Sequence, residues 1–222
     1  MGLGLPGVTS PNERQGANPA AQTMAMQGAF AFHQDVLWRP KRPERLFFAL
    51  RPDSETSRSV GGLRQRILHE HRLTGTPIKL RHLHVSLHPL GDYARLPSNI
   101  IYGAQLAANA VSMPPFETTF HSVKSFDRLR SFKGNPGRWP LVLLGEGDGL
   151  GALHRKLGAA MAKNGLRPGL GFKPHMTLLY GTKPIAQQEI EPIRLAVKDF
   201  VLIHSERGLT QHSVIDRWWL RG

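Results

Sequence analysis

Two short motifs with the same pattern carry the residues of this chain that could do chemistry. His84-Val85-Ser86-Leu87 places an imidazole two residues before a hydroxyl, and His175-Met176-Thr177-Leu178 repeats that arrangement in the second half of the chain. In an extended strand, side chains at positions i and i+2 leave the same face. Each motif therefore predicts a strand that presents a histidine and a hydroxyl on one face and anchors itself through apolar residues on the other.

Two imidazoles in one site can divide the roles of general acid and general base, because histidine titrates near neutral pH. His84 and His175 are the candidates for these roles. The hydroxyls of Ser86 and Thr177 can donate hydrogen bonds to the nonbridging oxygens of a bound phosphate. This combination favours phosphoester cleavage and needs no metal ion. A single histidine would more simply be structural, but the repeated motif, preceded each time by a strand and a helix, favours catalysis.

Other polar residues near the motifs are candidates for substrate contacts. His82 and His88 alternate with His84 and are predicted on the same face. Alternating histidines can bind zinc or nickel, but a straight strand would spread these three over about 20 Å at roughly 3.3 Å per residue. We therefore predict no metal and no cofactor, and we interpret His82 and His88 as groups that touch substrate or as exposed residues without a role.

Basic residues add two further candidates, Arg130 and Lys173. Arg130 belongs to a polar loop at 127–138, which could bind phosphates or be only a solvated hairpin tip. Lys173 stands two residues before His175. Both are predicted as possible substrate contacts.

The composition excludes several classes of site. The chain has no Cys, which rules out disulfides, thiolate zinc sites and thiol nucleophiles. Lys and Arg total 29 against 16 Asp and Glu, a formal net charge of +13. Such a charge attracts polyanions such as RNA, although it could equally serve solubility alone.

Composition also predicts the domain organisation. Residues 1–40 are rich in Gly, Pro, Ala, Asn and Gln without apolar periodicity, and we expect a flexible tail followed by a single domain over 41–222. The uncharged part of the tail contains too many Asn, Pro and Gln residues for a membrane span or a signal peptide. We expect a cytoplasmic monomer without membrane contact.

The hydrophobic pattern predicts alternating strands and helices. Asp53 and Ser54 are expected to cap a first helix, Pro97-Ser98 to begin a second, and Asp148 to cap a third with Leu150, Leu153, Leu157 and Met161 on its buried face. Strands are expected at 45–51, 79–88, 116–126, 139–144, 197–205 and 212–220. The order of strand, helix and histidine strand occurs twice, which indicates a diverged duplication.

The paired motifs resemble those of the two-histidine phosphoesterases. Arg45 to Pro52 ahead of the first motif and Phe172-Lys173-Pro174 ahead of the second add to this likeness, which extends over about 45–220. The chain is most similar to the 2'-5' RNA ligase-like proteins, also described as RNA 2',3'-cyclic phosphodiesterases. The resemblance implies an α+β fold with two pseudo-symmetric lobes, whose antiparallel sheets face a central cleft and whose helices lie outside.

The resemblance also implies roles and partners. His84 would donate a proton and His175 would accept one, while Ser86 and Thr177 hold the phosphate. Ser86 stands where the family usually has Thr, which keeps the hydroxyl but loses the methyl group that stiffens χ1; we expect activity to survive this change. The expected substrates are RNA ends or small nucleotides that carry a 2',3'-cyclic phosphate.

Three alternatives remain open from the sequence. The same residues could catalyse 2'-5' RNA ligation. The chain could instead be a basic RNA-binding module whose histidines only contact phosphate. The substrate could also be another small phosphodiester.

Overall fold

The structure, a computed structural model, describes Met1, residues 42–129 and residues 137–222. The predicted tail, apart from Met1, and Arg130 lie outside these residues. Within the described ranges the chain forms three α-helices: α1 Ser54–Glu70, α2 Ser98–Asn109 and α3 Asp148–Lys163. The same ranges form nine strands: β1 Glu44–Leu50, β2 Gly75–Pro77, β3 Val85–Tyr93, β4 Phe116–Ser125, β5 Trp139–Glu146, β6 His175–Gly181, β7 Gln188–Val197, β8 Asp199–Glu206 and β9 Gln211–Trp219.

The described strands form a sheet in the order β7-β4-β5-β6-β3-β1-β8-β9, with β2 beside β6, and all their pairings are antiparallel. The predicted α+β class with antiparallel strands is confirmed. The junction between β6 and β3 separates β7, β4, β5, β6 and β2 from β3, β1, β8 and β9, and the only residues paired across it in the described ranges are Val85 and Met176. The facing of two lobes across a cleft stays a prediction.

The predicted repeat of strand, helix and histidine strand is present as β1-α1-β3 and β5-α3-β6. In the first unit, the Asp53 carboxylate accepts a hydrogen bond of 2.7 Å from the Thr56 amide and so caps α1. In the second unit, the predicted cap at Asp148 is wrong. The N-cap is Gly147 at φ 142°, and Asp148 is the first helical residue, where its negative charge still favours the helix N-terminus.

Strand β1 lies between β3 and β8, and apolar residues bury both of its faces. Phe48 and Leu50 enter the main core, which also holds apolar residues of all three helices. The opposite face forms a second buried cluster: Phe47, Ala49, Val201 and Ile203.

Two parts of the predicted strand pattern differ from the structure. The segment expected as one strand at 79–88 instead contains a turn of 3-10 helix at Leu80–His82 and then the start of β3, with β2 just before it. Strand β7 is not predicted by the sequence, which alternates charged residues there and contains Pro192. Such a sequence is tolerated at β7 because this strand lies at the edge of the sheet, where unpaired backbone groups can face water.

Candidate active site

The two motifs meet at the junction between β3 and β6. Val85 pairs with Met176 in antiparallel register, and both side chains are fully buried. Extending this register by one residue on each side places His84 opposite Thr177 and Ser86 opposite His175. Since side chains alternate along a strand, these four residues lie on the face opposite the buried pair.

The register also sets the separation of the two imidazoles. His84 and His175 occupy diagonal positions across the junction, and residues at such positions are about 7–8 Å apart, or somewhat less between Cβ atoms, in a regular antiparallel pair. A phosphate group fits between two side chains at such positions. The four residues predicted from the two motifs therefore form one candidate site.

His84 and His175 are held by the same local hydrogen bond. The Nδ1–H of His84 donates to the carbonyl oxygen of His82 at 2.7 Å, and the Nδ1–H of His175 donates to that of Lys173, also at 2.7 Å. Because a carbonyl oxygen can only accept, Nδ1 carries the hydrogen in both rings. Nε2 is then the nitrogen that gains or loses a proton, as acid-base catalysis requires.

A phenylalanine ring lies beside each histidine. Phe47 of β1 is 5.1 Å from His84 between ring centroids, and Phe126, just after β4, is 4.9 Å from His175. The Nζ atom of Lys173 lies over the Phe126 ring, 5.2 Å from its centroid. Each histidine therefore has an aromatic neighbour as well as a hydrogen bond to a backbone carbonyl, and at the second motif a lysine also contacts the aromatic ring.

This lysine contributes to the electrostatics of His175. Burial lowers the pKa of His175 below its usual value and the positive charge of Lys173 lowers it further, while the hydrogen bond to the Lys173 carbonyl opposes the shift. The lowered pKa favours the neutral form of His175 at neutral pH. A neutral Nε2 can accept a proton, which suits the role of general base.

His212 of β9 is a site residue that the sequence does not predict. Its ring lies 5.8 Å from the His84 ring, edge to face, and stacks on His82 at 4.4 Å. The approach depends on the position of β9 next to β8, which no local pattern encodes. The same holds for Phe47 and Phe126, which the sequence marks only as apolar residues of strands.

The prediction that His82, His84 and His88 share one face is wrong. His82 belongs to the 3-10 turn and is 4% exposed, and the Arg81 Nε–H donates to its Nε2 at 3.3 Å. His88 is fully buried on the side of α3, where its Nε2–H donates to the carbonyl oxygen of His154 at 2.8 Å. A β-bulge accounts for the position of His88.

The bulge is visible in the pairing of β3 with β1. Ala49 pairs with Ser86, but Phe48 pairs with His88, so β3 holds one residue more than β1 between these pairs. The extra residue breaks the alternation of faces. His88 is thereby turned away from Ser86 and cannot touch substrate in this structure.

The remaining predicted contacts divide between described and undescribed residues. The carbonyl oxygen of Lys173 accepts a hydrogen bond from His175, and the charge of its side chain acts on the same ring, whereas Arg130 falls outside the described ranges.

Among residues 42–129 and 137–222, no three His, Asp or Glu side chains converge in an arrangement that could hold a metal ion. No helix in these ranges is both long and apolar enough to span a membrane.

Comparisons with known proteins agree with the two motifs. Residues 52–209 match the sequence pattern of the 2'-5' RNA ligase superfamily. No curated protein sequence matches the chain significantly. Among solved structures, the protein TT0787 of Thermus thermophilus is similar with 19% identity and a TM-score of 0.60, covering 80% of this chain and 98% of that one.

The structure of LigT of E. coli complexed with 3'-AMP is also similar to this chain, with 24% identity and a TM-score of 0.58, covering 82% of this chain and 99% of LigT. A structure described as a phosphoesterase has 25% identity and a TM-score of 0.55, covering 81% of this chain and 99% of that one. These likenesses show a shared fold over the length of the described domain. With the match of the family pattern over residues 52–209, they show that the chain belongs to the 2'-5' RNA ligase superfamily of two-histidine phosphoesterases.

Proposed function

We propose that this protein is an RNA 2',3'-cyclic phosphodiesterase, which hydrolyses a cyclic phosphate end to a 2'-phosphate without a metal ion. The observation that carries the proposal is the antiparallel register at Val85 and Met176, which brings two His-x-Ser/Thr motifs to one face. Two histidines on opposite strands can transfer protons on two sides of one phosphorus atom, one at the attacking oxygen and one at the leaving oxygen. Such an arrangement suits an in-line displacement, in which the attacking and leaving oxygens lie on opposite sides of phosphorus.

His175 acts as the general base in this reaction. A water molecule beside its Nε2 gives up a proton to the neutral imidazole as the water oxygen attacks phosphorus. The lowered pKa of His175 favours the neutral form that this step needs. The Lys173 carbonyl, which accepts from Nδ1–H, stabilises the imidazolium that results.

His84 acts as the general acid on the other side. As the bond between phosphorus and O3' breaks, the protonated Nε2 of His84 delivers its proton to O3'. The product carries a 3'-hydroxyl and a 2'-phosphate, His175 is left protonated and His84 is left neutral. Proton exchange with solvent restores both histidines for the next cycle.

Ser86 and Thr177 stabilise the charge on the phosphate. In the register set by Val85 and Met176, each lies opposite the histidine of the other motif on the same face, so both hydroxyls are within reach of a phosphate held between the imidazoles. Hydrogen bonds from these hydroxyls to the nonbridging oxygens strengthen as negative charge accumulates in the transition state. The net charge of +13 on the chain attracts an anionic substrate to the protein.

The similar solved structures support a phosphate ligand in this fold. Structures of E. coli LigT are described as complexes with 3'-AMP, ATP, NADP+ and phosphate. All four ligands contain phosphate, and three are nucleotides. We propose that this chain likewise takes nucleotides or RNA ends.

The family description favours one second candidate, the ligation of RNA through a 2'-5' bond. In that reaction the 5'-hydroxyl of another RNA replaces water, gives its proton to His175 and attacks the same phosphorus atom. The bond to O3' breaks as before, and the phosphate joins O2' to the new O5'. The catalytic groups are identical, so the nucleophile alone distinguishes the two activities.

The test is incubation of the protein with an oligonucleotide that ends in a 2',3'-cyclic phosphate, with and without a second oligonucleotide bearing a 5'-hydroxyl. We expect a 2'-phosphate end in both cases and no change on addition of a chelator. A longer product joined 2'-5' would identify a ligase. Binding without any change in the RNA would leave only the binding function.

A further inference from the structure

A column of three stacked rings connects the two halves of the candidate site. His88 of β3 lies 3.9 Å from His154 of α3 between ring centroids, with an interplanar angle of 25°. His154 in turn lies 4.3 Å from Phe172, with an angle of 13°. Phe172 belongs to the loop that leads into His175, so the column joins this loop to the strand that carries Ser86.

Both ring nitrogens of His88 have backbone partners. Nε2–H donates to the carbonyl oxygen of His154 at 2.8 Å, and Nδ1 accepts from the amide of Gly169 at 3.0 Å. A carbonyl can only accept and an amide N–H can only donate, so these two bonds require the neutral ring with its hydrogen on Nε2. The structure thus fixes the protonation state as well as the position of His88.

The sequence of α3 makes room for this ring. Gly158 lies within the helix, where Gly is less favourable than Ala by roughly 1 kcal/mol. A Cβ atom at Gly158 would lie 3.1 Å from Cε1 of His88. Gly158 therefore permits the close approach of the helix to His88.

The loop between Gly169 and His175 is then held at several points. Gly169 donates to His88, Phe172 stacks on His154, and the carbonyl of Pro174 accepts from the Gly145 amide at 3.1 Å. Within this loop, the Lys173 carbonyl orients the His175 ring through Nδ1–H. The anchors on the loop thus determine where this carbonyl lies.

We propose that His88 is a positioning residue for His175: its neutral imidazole fastens the loop at Gly169 to β3 and α3, and so keeps the Lys173 carbonyl where it orients the His175 ring. This inference rests on the proposed function, since it concerns the geometry of the proposed general base. His88 does not touch substrate. It acts through the loop and not through the reacting atoms.

The same bonds make this positioning sensitive to acid. Protonation of His88 would place an N–H group at Nδ1, directly against the N–H of Gly169, and would replace a hydrogen bond by a repulsion. The titratable and charged groups that act on the column from α3 are His154, which stacks on His88, and Arg155, whose charge acts on His154. Neither stabilises a positive charge on His88, and burial lowers its pKa as well.

The test compares His88→Gln with His88→Leu, with His69→Gln as a control on the exposed surface of α1. Gln keeps a donor and an acceptor but does not titrate, whereas Leu keeps only volume. With adenosine 2',3'-cyclic phosphate as substrate, we expect His88→Leu to lower kcat about 10- to 100-fold with little change in KM, because a misplaced base costs that much. His88→Gln should restore kcat to within a few-fold of the parent at neutral pH.

The pH profile gives a readout that a purely structural role would not move. In the parent, we expect the rate to fall in acid with a slope approaching two protons, one for His175 and one for His88. In His88→Gln the slope should approach one. Equal rates in all four proteins, or equal damage by Gln and Leu, would overturn the proposal.

An NMR titration of the imidazole nitrogens separates this inference from the proposed function. We expect the parent and His88→Gln to show His175 protonated on Nδ1, and His88→Leu to lose this preference. An unchanged His175 tautomer and pKa in His88→Leu would overturn the positioning role, whatever the activity. If the parent hydrolyses neither the cyclic nucleotide nor an RNA that ends in a 2',3'-cyclic phosphate, the proposed function fails, and the titration still decides the role of His88.

Discussion

His84 and His175 each donate Nδ1–H to the carbonyl of the residue two positions earlier. Because this bond is the same at both rings, the opposite roles that we propose for them must come from the surroundings of each ring. At His175, burial and the charge of Lys173 both favour the neutral form. These neighbours of His175 support its proposed role as the base.

Replacement of Lys173 tests this electrostatic contribution. Lys173→Met removes a positive charge that lowers the pKa of His175, so that pKa should rise and the acidic limb of kcat/KM should move to higher pH. The shift should be partial, because burial is the larger cause. Lys163→Met, at the exposed end of α3, is the matched control and should leave the limb in place. A limb that stays in place in Lys173→Met as well would exclude this contribution.

Ser86 offers a test of the hydroxyl groups. Ser86→Thr keeps the hydroxyl and should retain activity, whereas Ser86→Ala should lower kcat up to about 10²-fold, because a hydrogen bond to the charged transition state is lost. The comparison of kcat values separates the hydroxyl from side-chain size. Equal rates in the Ser, Thr and Ala proteins would show that this hydroxyl does not contact the phosphate.

At the scale of the elements, the contact of α3 with β3 should weaken in acid. Burial lowers the pKa of His154 to about 4, and electrostatic repulsion from His88 and from the positively charged Arg155 contributes to the lowering. Between about pH 4 and 6.5 the unfolded chain then binds more protons than the folded one, so the free energy of unfolding falls as pH falls through this window. After allowance for partial exposure, we expect a loss of about 2 kcal/mol.

His154→Phe should reduce this loss. Phe can keep the stacked column, does not titrate, and leaves the backbone carbonyl that accepts from His88. The Nε2 atom of His154 is buried and has no hydrogen-bond partner among the described residues, so its removal breaks no hydrogen bond. Urea unfolding at pH 7 and pH 5 measures the effect. The same loss of stability in parent and variant would show that His154 is not its source.

The elements show what a single sequence can predict about this fold. The motif strands, β1 and the apolar face of α3 are predictable because their patterns are local. The sequence misplaces His88 because a β-bulge depends on the pairing of β3 with β1. It misses His212 because the place of this residue beside His84 depends on β9, which is distant in the chain. The candidate site can thus be predicted where one strand carries it, and not where neighbouring strands complete it.

At the scale of the whole molecule, the +13 charge predicts the kind of partner. Binding of single-stranded RNA should weaken steeply with salt, because each neutralised phosphate releases counterions and contributes about −0.7 to the log-log slope. Titration of a fluorescent oligonucleotide at several salt concentrations measures this slope. A flat response would indicate that the charge serves solubility and that the substrate is small.

The central claim is that His84 and His175 act as one acid-base pair, and kcat for hydrolysis of a cyclic-phosphate-ended RNA tests it most directly. We expect His84→Ala and His175→Ala each to lower kcat by about 10²- to 10⁴-fold, with thermal midpoints close to that of the parent since neither side chain belongs to the buried core. The double variant should be little slower than the slower single one, because residues that act as a unit are not additive. Full activity in either single variant would contradict the account.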